Sequence, residues 1–170
     1  MKKVGFSGTC YWCMEAMFQS LRGVTDVEQG WISTAAKSDH FFEGIIVHFE
    51  PSIISLDTLV EVHLHTHKST SNHSMRDKYP SAVYAFSDEY MDSIRLIMSE
   101  LQKEFADPII TTVEPFGAFK RSDEDMQNYY YSRPEKPFCV NIIEPKLRAL
   151  LERFGGDVVL DLKRSSNNDS

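Results

Sequence analysis

Cys10 and Cys13 stand three residues apart in Cys10-Tyr11-Trp12-Cys13, after a short apolar run and at the start of an amphipathic stretch. A thiol at such a junction faces the amino end of a helix, where unpaired amides and the helix dipole favour an anion. That setting lowers a thiol pKa and supplies thiolate, the nucleophilic form of cysteine. Cys10 is therefore the candidate nucleophile. The Cys-x-x-Cys spacing between a strand and a helix equally suits thioredoxin-like dithiol–disulfide exchange with Cys13. Tyr11 and Trp12 are core residues or the walls of an apolar pocket beside the thiol. With Cys139 the chain holds three cysteines. So few do not make a structural disulfide framework, and a free cysteine often serves as a small buried apolar residue.

A second group of residues has metal-ligand chemistry: His63, His65, His67 and His73. Imidazole is a common metal ligand. On a helix, however, His63 and His67 share a face and His65 points away from it. No metal and no other cofactor is expected.

The net charge of −7 over 170 residues argues against a nucleic-acid partner, which asks for a basic stripe. No apolar run is long enough for a membrane span, and Met1 to Phe6 lacks the apolar centre of a signal peptide. These features lead to the expectation of a cytoplasmic protein. The length suits a single catalytic domain over residues 1–163, with a polar, disordered tail over 164–170.

The elements that must position these residues follow from periodicity. Residues 4–7 read as a short buried strand, and 11–21 as a helix with Met14, Met17, Phe18 and Leu21 on one face. Strands are expected at 24–31 and 44–49, with a loop over 32–42. Leu56, Leu59, Val60, His63, Leu64 and His67 mark a second helix, capped by Ser55 or Asp57. A polar loop over 68–79 leads to a strand at 82–85. Ser87 caps a third helix that runs to Phe105. The order β-α-β-β-α-β predicts an α+β fold, a ferredoxin-like split βαβ plait. Residues 109–154 add another strand, a short helix near 123–131 and a terminal helix started by Pro145, all packed on the plait.

Gly8-Thr9-Cys10-Tyr11-Trp12, followed by Glu15, Phe18 and Leu21-Arg22-Gly23-Val24, resembles the Gly-Cys-Phe-Trp signature of the methionine sulfoxide reductase A family. Further likenesses follow in order. Glu43 to Ser55 is similar to the family's Glu-Ala-Val strand and Asp-Pro-x-x-Ile-Ser. Tyr79 to Tyr84 is similar to Tyr-Arg-Ser-Ala-Ile-Tyr. Ile110-Thr111-Thr112, Phe116 and Asp123 to Tyr129 resemble the Ile-Thr-Thr segment and the helix after it. Phe138-Cys139 resembles Gly-Tyr-Cys.

The resemblance implies reduction of methionine-S-sulfoxide, free or in peptides. Cys10 matches the nucleophile, and Tyr11 and Trp12 the aromatics that hold the substrate methyl group. Glu43 matches the acid that protonates the sulfoxide oxygen, a role that needs a partly desolvated carboxyl. Tyr79 matches a hydrogen-bond donor to the same oxygen. The product is methionine and a sulfenic acid on Cys10, which a second thiol converts to a disulfide. Cys139 matches the resolving cysteine and is favoured. Cys13 is the alternative, subject to the disulfide geometry of residues i and i+3. The implied reductant is thioredoxin, acting on a monomer.

The sequence also departs from the pattern. Thr9 replaces a glycine. The loop before Glu43 is about ten residues shorter than the family's, judged by the spacing on which these motifs rest. It leaves no counterpart of a second active-site tyrosine. The Asn-Asp-x-Gly loop becomes Ser71 to Asp77, with its aspartate unplaced.

Overall fold

The computed structural model describes residues 2–158, apart from the side chain of Ser74. Five strands form the sheet: β1 (Lys2–Ser7), β2 (Val24–Thr34), β3 (Phe42–Phe49), β4 (Ala82–Ala85) and β5 (Thr112–Arg121). They close into a barrel in the order β1-β3-β2-β5-β4. Strand β1 runs antiparallel to both β3 and β4, and β2 antiparallel to β3 and β5. Only β4 and β5 are parallel.

The mixed α/β character matches the expectation, and the closure does not. The strand expected as an addition on an open plait is β5, which inserts between β2 and β4 and removes both free edges. Pro115 and Gly117 obscure its strand pattern. Gly117 is required there, because a Cβ would come within 2.5 Å of the Thr34 carbonyl oxygen. The pairing with β5 also carries β2 past its expected end to Thr34, into what reads as loop.

Alternation along the strands separates two packing surfaces. Val4, Phe6, Ile45, Val47, Phe49 and Val83 join the main core with the helices. Ile32, Ile46, Ala82 and Tyr84 form a smaller cluster with Phe116 and Phe119. Helix α1 (Tyr11–Gln19) buries Met14, Met17 and Phe18 against the first surface. It stops two residues before the expected end at Leu21, because the Ser20 hydroxyl turns back to donate to the Met17 carbonyl. Helix α2 (Leu56–His65) is capped by Ser55, which accepts from the Thr58 amide. It ends before His67 by the same device, Thr66 donating to the Val62 carbonyl. Helix α3 (Asp88–Leu101) is capped by Ser87 as expected. The expected helix near 123–131 is a 3₁₀ turn, Glu124–Met126, followed by the one-turn α4 (Tyr129–Ser132). A π-helical turn, Cys139–Ile143, leads into α5 (Glu144–Phe154), with Pro145 in its first turn. The expected tail over 164–170 lies outside the described residues.

The histidines of α2 and after are all held by hydrogen bonds to backbone or side-chain groups. His63, fully buried, donates through Nε2 to the Ser7 carbonyl at 2.8 Å. Its Nδ1 has no hydrogen-bond partner among the described residues. The His67 ring lies 4.3 Å from that of His63 and is hydrogen-bonded through Nε2 to Ser81 at 2.6 Å. His65 pairs with Glu104, and His73 accepts from the Met75 amide. Among the described residues, no three His, Cys, Asp or Glu side chains group as a metal site.

Burial holds the His63 pKa down at about 4, with the Arg76 charge adding to the effect. The unfolded chain thus binds a proton at this position between pH 6.5 and 4 that the fold does not. Stability therefore falls as pH drops through that window. From pH 7 to 5 this amounts to about 2 kcal/mol for one such group. Urea unfolding at both pH values should show a His63→Gln variant losing about 2 kcal/mol less than the wild type. Equal losses would refute the assignment.

Candidate active site

The turn between β1 and α1 delivers Cys10, and the chain around it is tightly specified. Gly8 adopts φ +148, and a Cβ there would come within 2.9 Å of the His67 ring. The Ser7 hydroxyl donates to the Pro80 carbonyl at 2.6 Å. Arg76, buried, donates to the carbonyls of Gly8 at 2.9 Å and Tyr79 at 2.8 Å. One guanidinium thus ties the cysteine turn to the segment that carries Tyr79. His63 beneath Ser7 completes the support.

Cys10 is the N-cap of α1, half-buried, with an extended ψ of 131. It therefore sits where helix amides are unpaired, as the sequence predicts. Its thiol pKa is lowered. The hydrogen bond from the Cys13 thiol is the main cause, and the amides of Cys13 and Trp12 add to it. Burial and the Glu43 charge oppose the shift. Donating that bond, together with burial, pushes the Cys13 thiol far up. Of the two thiols, Cys10 is thus the more readily ionised.

Glu43 reaches the same helix end from β3, its Oε1 accepting from the Tyr11 amide at 3.3 Å. Burial, the Glu43 charge and a hydrogen bond with Glu43 push the Tyr79 phenol up to about 12. Four predicted residues therefore converge: Cys10, Glu43, Tyr79 and Tyr11. Cys13 joins them directly.

Trp12 is held differently from a free pocket wall. Tyr129 stacks on it at 3.9 Å and 7°, and Phe138 meets it edge-on at 5.6 Å. Glu15 fixes this arrangement. Fully buried in α1, it accepts from the amides of Asn128 at 2.8 Å and Tyr129 at 3.0 Å. The solvent side of the site is instead walled by Trp31, 41% exposed, whose ring lies 5.8 Å from that of Tyr11. Trp31 pairs across the strands with Glu43, which sets both on one face. Sequence reading missed Trp31, although its register opposite Glu43 in a hairpin was the available signal. Tyr129 and Phe138 gave only family likeness, with no periodic pattern.

Cys139 is fully buried in the π-helical turn, where burial raises its thiol pKa. The turn touches α1 through Phe138, which lies against Trp12. All three cysteines are free thiols.

A sequence profile described as Peptide methionine sulfoxide reductase matches residues 2–157. The chain belongs to the peptide methionine sulfoxide reductase family. A relative from Deinococcus radiodurans, named peptide methionine sulfoxide reductase MsrA, is 32% identical, covering 88% of this chain and 81% of that protein. One from Rhodopirellula baltica is 29% identical, covering 89% and 86%. Among solved structures, Mxr1 of Saccharomyces cerevisiae in its reduced form shares the fold at a TM-score of 0.70 and 24% identity, over 81% of this chain and 88% of that one. The same yeast protein has been solved in complex with Trx2; it matches at a TM-score of 0.60 and 23% identity, over 75% and 84%. Membership in the reductase family decides against the thioredoxin-like reading of the Cys-x-x-Cys motif.

The Cys10–Cys13 bond has a direct consequence. Iodoacetamide alkylation of Cys10 should show a pH midpoint below that of an ordinary thiol, near 8.5. Cys13→Ala removes the donor and should raise the midpoint by about one unit or more, the loss of one charge-assisted hydrogen bond. An unchanged midpoint would remove Cys13 from the activation of Cys10.

Proposed function

We propose that this protein reduces methionine-S-sulfoxide to methionine with Cys10 as nucleophile, in a single catalytic domain that works as a monomer in the cytoplasm. The observation that carries the reading is the convergence of a thiolate-favouring N-cap with Glu43 and Tyr79 in a family member. The strand order β4-β1-β3-β2 within the closed sheet supports describing the fold as a split βαβ plait closed by β5.

The Cys10 thiolate attacks the sulfoxide sulfur. Glu43 supplies a proton to the oxygen, and Tyr79 donates a hydrogen bond to it. The new bond to Cys10 and the sulfur–oxygen bond both break as oxygen passes to the Cys10 sulfur, leaving methionine and a Cys10 sulfenic acid. Tyr11 and Trp12 hold the substrate methyl group, with Trp31 flanking Tyr11.

A second thiol then displaces water from the sulfenic acid and forms a disulfide. Cys139 holds the family's resolving position. Cys13, whose thiol hydrogen-bonds to Cys10, is favoured for the first bridge over Cys139, which is buried in a helical turn. Thioredoxin, or a dithiol protein of that class, returns the disulfide to two thiols. The net charge of −7 supports a partner set without nucleic acid.

Steady-state assays with dithiothreitol or thioredoxin should show turnover of the S epimer alone and none by Cys10→Ser. Glu43→Gln should lower the single-turnover rate by about 10²- to 10⁴-fold, the usual contribution of a general acid. Peptide mapping after one turnover should find a Cys10–Cys13 bridge; a Cys10–Cys139 bridge would return the resolving role to Cys139. Turnover of both epimers, or by Cys10→Ser, would defeat the proposal.

A further inference from the structure

Across the cysteine turn from the thiol lies a cavity of about 720 Å³, whose wall includes Gly8, Thr9 and Tyr79. Thr9 and Tyr79 flank the catalytic side, so the cavity abuts the sulfoxide site. Three cations line it: Lys68, Arg76 and Lys146. No Asp or Glu does. This is unusual in a chain with 25 acidic residues against 18 lysines and arginines.

None of the three has a carboxylate within ion-pair distance among the described residues. Arg76 spends four of its five N–H donors on the carbonyls of Ser71, Lys68, Gly8 and Tyr79, which leave its charge unpaired. Lys146 donates to the Thr9 hydroxyl at 3.3 Å. Glu104, bonded to His65 at the cavity wall, is shared with Arg153. A concave site lined by charges of one sign concentrates the opposite charge. Of the three cations, Arg76 is buried, Lys146 half-buried and Lys68 exposed, and an anion in the cavity would meet all three charges.

We propose that this cavity is an anion subsite of the reductase, taking a carboxylate carried by the substrate. The inference rests on the proposed sulfoxide reduction and extends it to substrate choice. The carboxylate is that of Asp or Glu close in sequence to the oxidised methionine, or the α-carboxylate of the free amino acid. Either enters from the side lined by Thr9 and Tyr79 while the sulfoxide lies against Cys10.

The test measures kcat/KM with dithiothreitol as reductant. Substrates are blocked peptides with neutral, Glu or Lys residues flanking methionine-S-sulfoxide, and N-acetylmethionine sulfoxide against its amide. A carboxylate should raise kcat/KM about three- to tenfold over the neutral partner, the size of one or two partly exposed ion pairs. The advantage should shrink as salt rises. In Lys68→Gln/Lys146→Gln the ratio should fall towards one. Lys68→Glu, at an exposed position, should push it below one while the fold is kept. A gain confined to Glu-flanked peptides assigns the side-chain source, and a gain confined to N-acetylmethionine sulfoxide assigns the α-carboxylate. Equal kcat/KM for all charged and neutral substrates would overturn the subsite while leaving the reductase standing. No turnover of any substrate would defeat the reductase reading itself.

Discussion

The chemistry depends on one constraint: a thiolate must be held at the N-cap of α1 without a permanent counter-ion. Hydrogen bonds supply the stabilisation, from the Cys13 thiol and from the amides of Cys13 and Trp12. These donors work only if the turn before the helix points Sγ at them. Three side chains from elsewhere hold that turn. His63 bonds the Ser7 carbonyl, the His67 ring fills the space that a Cβ on residue 8 would take, and Arg76 bonds the Gly8 carbonyl. The buried histidines stay neutral because burial disfavours their charge. They can therefore support the turn at neutral pH without adding a charge beneath it.

A second consequence is electrostatic. Glu43 binds the same helix end as Cys10, through the Tyr11 amide. Its charge opposes ionisation of the thiol and also raises the Tyr79 phenol. Like charges at one helix end resist being present together. The same charge, with burial, keeps the Tyr79 phenol protonated beside the thiol. The closed sheet makes this juxtaposition rigid. Glu43 lies on β3 and Trp31 opposite it on β2, and β5 locks β2 from the other edge.

Much of this was legible in the sequence because it rests on local patterns. The Cys-x-x-Cys at a strand–helix junction placed Cys10 at the head of α1. The 3.6-residue period found the first three helices, and Ser55 and Ser87 marked their starts. The unread part depends on non-local contacts. Closure by β5 follows from pairing with β2 and β4, which neither Pro115 nor Gly117 announces. The covering of Trp12 by Tyr129 depends on buried Glu15 receiving amides more than a hundred residues away in sequence. The cavity charges on Lys68, Arg76 and Lys146 come from a loop and a terminal helix that only the fold brings together.

The most direct test of the account is to trap the oxygen on its way from substrate to protein. A Cys13→Ser/Cys139→Ser variant, pre-reduced, would meet one equivalent of methionine-S-sulfoxide without reductant, with a sulfenic-acid probe present. The account predicts one probe adduct per chain, on Cys10, formed at the rate at which methionine appears. Methionine without an adduct on Cys10, or an adduct formed with no methionine, would contradict transfer of the oxygen to the thiolate at the head of α1.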